Sequence, residues 1–284
     1  QAARLKGTGV AVKFSDDIQK IMMQNQSIIA NFMAALEERE FQVYYQPKVN
    51  IKNQTNCGAE ALVRWQRDGK LISPMQFIPQ LEREGSIIKL DYYMLEEVCR
   101  FLRKWMDEGH APICISVNFS RKHLDEDDMV EHIVSILDEH GIAHQYIEIE
   151  LTESEDFQNY EIMTNIVNEL SEAGIGTSMD DFGTGFSSLN MIKKLDLKVI
   201  KIDRSFIPLE TDYSGKDKDM IMFCNIVTLL RELGKKTIAE GVETQQQLRY
   251  LENAGCDIVQ GYVFDKPLCE ADFRMRLENG YGSC

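Results

Sequence analysis

Ile175-Gly176-Thr177-Ser178-Met179-Asp180-Asp181-Phe182-Gly183-Thr184-Gly185-Phe186-Ser187-Ser188-Leu189 is the stretch on which fold and chemistry both turn. The run from Ile175 to Met179 reads as a buried strand. Two adjacent carboxylates follow it, and these repel each other and are costly to desolvate without a cation between them. Gly183 and Gly185 let the backbone turn sharply beside that charge. A helical pattern resumes at Leu189, with Ser187 or Thr184 available as N-cap. In isolation the same residues would serve as an acidic loop capping a helix. The units on either side decide between the readings.

Downstream, strand Val199–Ile202 precedes helix Lys218–Leu233, strand Lys236–Ala239 precedes helix Gln245–Ala254, and strand Ile258–Tyr262 precedes helix Glu270–Leu277. Upstream, strand Tyr146–Leu151 precedes helix Tyr160–Ala173, and strand Ile113–Asn118 precedes helix Asp125–His140. A short helix, Ser188–Lys194, follows the opening stretch. Further back, Ser73-Pro74 starts a helix to Glu84, with proline at N1, and a second helix spans Lys89–Glu108. Strands Phe41–Pro47 and Cys57–Trp65 are joined by a link too short for a helical crossover, so they form an antiparallel hairpin. Serial strand–helix units imply a parallel sheet with helices outside. Eight strands in all suggest a closed α/β barrel in which Phe41–Pro47 runs against the others. A doubly wound open sheet would carry a glycine-rich phosphate turn after its first strand, and none is present.

The chain has 284 residues, 44% of them apolar, enough for one large core or a domain with an appendage. No apolar run approaches a membrane span, and no signal-peptide pattern is read. The seven cysteines are scattered and form no CxxC pair. Reduced thiols and a cytoplasmic setting follow. A net charge of −15 argues against binding a nucleic-acid polymer. It leaves room for a small anionic ligand if metal ions or local cations supply positive charge. The five histidines fall on polar stretches and are expected at the surface.

Polar groups recur at strand ends. They are Asn118, Glu148 and Glu150, Asp180 and Asp181, Lys201 and Asp203, Glu240, and Gln260. Glu60 sits inside the otherwise apolar Ala59-Glu60-Ala61-Leu62-Val63, where a carboxylate needs a partner. In a barrel these groups converge on one mouth. Oxygen ligands from Glu60, Asn118, Glu150 and Asp180 suit a hard divalent ion, with Asp181 near a second. Lys201 can hold a water or offset developing charge, and Glu240 is placed as general base. No Ser–His or Cys–His pair occurs at strand ends. Metal-assisted phosphodiester hydrolysis is the natural candidate.

The same residues resemble the EAL-domain cyclic di-GMP phosphodiesterases. Glu60-Ala61-Leu62 looks like the signature itself, within Gly58-Ala59-Glu60-Ala61-Leu62-Val63-Arg64-Trp65. The resemblance continues through Tyr45-Gln46-Pro47, Ser116-Val117-Asn118-Phe119-Ser120, Glu150-Leu151-Thr152-Glu153-Ser154, Asp180 to Gly185, Lys201-Ile202-Asp203-Arg204, Glu240-Gly241-Val242-Glu243-Thr244 and Gln260-Gly261-Tyr262.

It implies a modified TIM (β/α)₈ barrel with one antiparallel strand. It also implies hydrolysis of cyclic di-GMP to linear pGpG with Mg²⁺ or Mn²⁺, two per site, and inhibition by Ca²⁺. By similarity Glu60, Asn118, Glu150 and Asp180 hold metal and Asp181 joins the second metal site. Lys201 positions the water, Glu240 is the base, and Gln260 supports the water network or the substrate. Gln46, Leu62 and Arg64 contact the dinucleotide. Glu153 anchors the loop after Asp181, which is intact apart from Phe186 in place of the commoner Tyr.

Residues 1–17 resemble the end of a GGDEF domain, with 18–40 a linking helix and 41–284 the EAL barrel. This implies a larger signalling protein, with a membrane anchor upstream left open, and a homodimer through the helix after the Asp180–Gly185 loop. A silent cyclic di-GMP receptor, which would lack part of the metal and base set, and a barrel acting on another phosphodiester are the alternatives.

Overall fold

Regular alternation of apolar strands and amphipathic helices gives the expected barrel, and one further strand. The structure, a computed structural model, describes residues 28–152, 160–182, 192, 195–207 and 218–281. Residues 1–17, the start of the expected linking helix, Glu153, the Gly183–Gly185 loop and most of the expected helix Ser188–Lys194 lie outside the described residues, as does the side chain of Asp181. The chain divides into two compact units, Gln1–Gln42 with Arg64–Ile87, and Val43–Val63 with Ile88–Cys284.

The first unit holds helix α1 (28–37) and the outer ends of strands β1 (Phe41–Asn50) and β2 (Asn56–Arg67). It also holds strand β3 (Lys70–Ile72) and helix α2 (Pro74–Glu84). Its core is aromatic. Phe41 packs at 5.7 Å from Phe32, 4.9 Å from Trp65 and 5.7 Å from Phe77, between ring centroids. The indole N–H of Trp65 donates to Glu40 Oε2 at 2.7 Å, which satisfies its one polar atom. The strand β3 was not expected. Asp68 and Gly69, at φ of 50° and 70°, make the two-residue turn that folds it back on β2.

The second unit is the barrel. Its other elements are α3 (Ile87–Asp107), β4 (Ile115–Phe119), α4 (Met129–Glu139), β5 (Ile147–Thr152), α5 (Tyr160–Glu172), β6 (Gly176–Phe182) and β7 (Val199–Ile202). Then come α6 (Lys218–Glu232), β8 (Lys236–Glu240), α7 (Gln245–Ala254), β9 (Ile258–Gln260) and α8 (Glu270–Asn279). The sheet order is β1-β9-β8-β7-β6-β5-β4-β2-β3, and a further pairing of β1 with β2 closes the ring. Neighbours from β2 through β4 to β9 are parallel, while β1 meets β9 antiparallel, Val49 opposite Val259. This is the modified (β/α)₈ barrel with one reversed strand.

Several boundaries differ from the sequence reading; β1 runs on past Pro47 to Asn50, and three others have a clear local reason. Strand β6 runs on to Phe182, so Asp180 and Asp181 lie within it rather than after it. Its pairing with β7 shifts register between Met179 and Phe182, a bulge of the kind that re-aims side chains beside a site. Helix α4 starts at Met129, not Asp125, because Arg121–Asp125 forms a separate 3₁₀ turn with Ser120 as its cap. Strand β9 stops at Gln260. A Cβ on Gly261 would lie 2.1 Å from the carbonyl oxygen of Val242, so only glycine lets the chain cross there. That crossing holds the ends of β8 and β9 together, with the Val242 N–H donating to the Gln260 carbonyl at 3.3 Å. Among the described residues no helix is long and apolar enough to cross a membrane.

Candidate active site

Parallel register and the period-two alternation of strands bring polar side chains from successive strands to one place. Glu60 comes from β2, Asn118 from β4, Glu150 from β5, Asp180 from β6, Lys201 from β7, Glu240 from β8 and Gln260 from β9. Asn118 sits opposite Glu150, and Glu240 opposite Gln260.

Lys201 is the centre of the group and is 1% exposed. Its Nζ lies 2.6 Å from Glu150 Oε2, 2.7 Å from Glu240 Oε1, 3.1 Å from Glu60 Oε2 and 3.2 Å from Asp180 Oδ1. Glu60 takes two more hydrogen bonds, from Asn118 Nδ2 at 2.8 Å and from Gln260 Nε2. Buried carboxylates at this density exist only with cations among them.

The donor set fits a hard divalent ion. Glu60, Glu150 and Asp180 each present a carboxylate oxygen, and these atoms lie within 4.8 Å of one another. Asn118 gives its amide N–H to Glu60, which leaves its carbonyl oxygen for a cation. Among the described residues Gln260 Oε1 is buried with no hydrogen-bond partner, an orphaned acceptor beside the cluster. Oxygen-only ligation suits Mg²⁺ or Mn²⁺ rather than Zn²⁺.

The electrostatics follow the packing. Burial works against the charge of Lys201, but the carboxylates of Glu150, Glu60, Glu240 and Asp180 outweigh it and hold the ammonium protonated well above its usual range. Burial also pushes Glu150 up, yet Lys201 and Lys48 more than offset it and bring that carboxyl down to about 2. Glu240 is pushed up to about 8 by burial, with Lys201 pulling the other way and Asp180 and Glu60 adding to the rise. Burial and the neighbouring Glu150 raise Glu60 as well. One cluster therefore holds one carboxylate that stays ionised and another poised near neutrality.

Gln46, on β1, is buried and donates through Nε2 to the Asp265 carbonyl. Leu62 is half-buried on β2, and Arg64 belongs to the other unit. Lys48 was not among the expected site residues. It is 6% exposed, and its Nζ meets Ser116 Oγ at 2.7 Å, Glu148 Oε1 at 2.9 Å and Glu150 Oε1 at 3.0 Å. The available signal was its place two residues after Gln46, on the same face of the reversed strand. The expectation that all five histidines lie at the surface is also corrected. His123 is 1% exposed, held between Asp91 and Glu126.

Lys48 yields a stability prediction. In Lys48→Met, Glu148 and Glu150 lose their shared cation in a buried setting. Breaking such a pair from one side costs about 3–5 kcal/mol. Urea denaturation of the metal-free protein should show that loss. A change within the ~0–1 kcal/mol of surface ion pairs would sink the argument.

Comparison with known proteins places this geometry in context. The bifunctional diguanylate cyclase/cyclic di-GMP phosphodiesterase MucR of Pseudomonas aeruginosa is 35% identical over 256 residues, 90% of this chain and 37% of that protein. The cyclic di-GMP phosphodiesterase NbdA of the same organism is 36% identical over 235 residues, 82% of this chain and 30% of that protein. The chain thus spans about a third of these relatives' length. The solved structure of the PaMucR phosphodiesterase in complex with c-di-GMP superposes with a TM-score of 0.79 at 36% identity, covering 87% of this chain and 99% of that one. The EAL domain family matches residues 29–267, and with the barrel and the strand-end cluster that match encloses, the chain belongs to the EAL-domain family.

Proposed function

We propose that this chain hydrolyses one phosphodiester bond of cyclic di-GMP to give linear pGpG. The observation that carries the reading is the Lys201 ammonium set among Glu60, Glu150, Asp180 and Glu240. The names of the relatives and the c-di-GMP complex of the similar structure support the same substrate.

Glu60, Asn118, Glu150 and Asp180 are the proposed metal ligands, with Asp181 toward a second ion. Mg²⁺ or Mn²⁺ bound there would offset phosphate charge and acidify a coordinated water. Lys201 holds the attacking water in line and counters charge that develops on the phosphate. Glu240 takes the proton of that water as its oxygen bonds to phosphorus. The bond to the 3′ oxygen breaks, and that oxygen takes a proton from solvent as it leaves, while Glu240 returns the proton it took. Gln46, Leu62, Arg64 and Gln260 are the proposed substrate contacts, and Glu153 the anchor of the loop after Asp181.

In a longer protein, residues 1–17 would end a GGDEF-like domain, 18–40 would link it, and 41–284 would form the phosphodiesterase. A homodimer through the helix after the Asp180–Gly185 loop belongs to the same reading. So does a cytoplasmic setting, which suits the free thiols at Cys57, Cys99 and Cys114.

The test is a single assay. The purified chain is incubated with cyclic di-GMP and Mg²⁺, and the products are followed by chromatography. Linear pGpG is expected, and its formation should stop on adding a chelator. Substrate that binds but stays intact would turn the reading to a receptor. Absence of binding would sink the cyclic di-GMP assignment.

A further inference from the structure

Asn118 has one job in the candidate site that depends on its orientation. Its Nδ2 must face Glu60 so that its Oδ1 faces the metal position. The segment just after it is held by groups outside the site. Asp91 Oδ2, on α3, accepts from the backbone N–H of Ser120 at 2.9 Å and lies 3.1 Å from His123 Nε2. Glu126 Oε2 lies 2.6 Å from His123 Nδ1 and accepts from the Tyr92 hydroxyl at 3.1 Å. Both ring nitrogens of His123 are thus tied to carboxylates, one on α3 and one beyond the 3₁₀ turn. The His123 N–H also donates to the Ser120 carbonyl at 3.1 Å.

Rings complete the clamp. Phe119, the residue after Asn118, has its ring centroid 4.6 Å from His123 and 5.7 Å from Tyr92. Tyr92 and His123 meet edge to face at 4.9 Å. Burying an imidazole and an aspartate costs free energy unless both are fully paired. Here both ring nitrogens of His123 and Oδ2 of Asp91 have partners, and these contacts converge on the two residues that follow Asn118.

We infer that Asp91, His123 and Glu126 form a clamp that fixes the end of β4 and so sets the direction of the Asn118 side chain, making His123 a positioning residue for metal binding. This rests on the proposed role of Asn118 as a ligand. Groups that orient a metal ligand typically change metal affinity or activity 10–100-fold when removed.

The experiment is direct Mn²⁺ binding to the whole chain by calorimetry, with cyclic di-GMP turnover measured alongside. His123→Ala removes both ties, and His123→Gln keeps the bulk and one donor. Val227→Ala, at a fully buried position on α6, controls for lost stability alone. About tenfold weaker Mn²⁺ binding is expected for H123A, a smaller loss for H123Q, and none for V227A. If H123A does not fold, H123Q carries the comparison. Wild-type affinity in a folded His123 variant, or equal weakening in V227A, overturns the inference. Failure of the phosphodiesterase reading looks different, because the wild-type chain would then bind Mn²⁺ and leave cyclic di-GMP intact.

Discussion

Lys201→Met should lower turnover of cyclic di-GMP by about 10³-fold, the upper end of what removing one donor aimed at developing charge costs. The same change should destabilise the metal-free protein by about 3–5 kcal/mol, because four carboxylates lose the one cation they share. Methionine keeps the length and bulk of the side chain, so packing is a minor part of the effect. The two losses separate when Mg²⁺ is added. A ligand that binds only the folded state raises its stability by mass action, and a divalent ion held, as proposed, among Glu60, Glu150 and Asp180 would compensate for the missing ammonium. Thermal unfolding of K201M should therefore rise more steeply with Mg²⁺ than that of the wild type, while turnover stays low. Equal melting temperatures for the two metal-free proteins would mean that the ammonium does not hold the cluster together.

The contrast between Lys201 and Lys48 shows what could be read without coordinates. Lys201 ends a short apolar strand within the regular strand–helix series, so its place at the barrel mouth followed from the pattern alone. Lys48 lies on the reversed strand, which belongs to no strand–helix unit. Its partners Ser116, Glu148 and Glu150 are on β4 and β5, and only the closure of the ring brings them within reach. Asn118, Glu150 and Asp180 were legible for the same reason as Lys201, since parallel register repeats from strand to strand. His123 was not. A histidine in a polar run looks solvated until Asp91, 32 residues earlier, is seen to fold against it. The strand β3 was missed although Asp68-Gly69 is a recognised hairpin signal. It is three residues long and pairs only with β2, too short for an alternation to register. The bulge in β6 has no signature in residue types at all, because it arises from pairing with β7.

Glu240→Gln is the sharper test of chemistry, because it alters one proton and almost no volume. Glu240 is the carboxylate held up near neutrality, pushed to about 8 by burial against the pull of Lys201. A general base works best with a pKa near the working pH, and its loss typically costs 10²–10⁴ in rate. Glutamine can still accept from Lys201 at the 2.7 Å contact, so the cluster keeps its shape and metal binding should stay close to wild type. The pH dependence carries the decisive sign. A base acts in its deprotonated form, and that fraction grows as pH rises through the folded-state value. Wild-type kcat/KM should therefore climb with pH until Glu240 is deprotonated and then level off. The residual rate of E240Q should lack that climb, since glutamine has nothing to titrate there. Parallel profiles for the two proteins, offset by a constant factor, would assign the titration to another group and leave Glu240 a structural partner of Lys201.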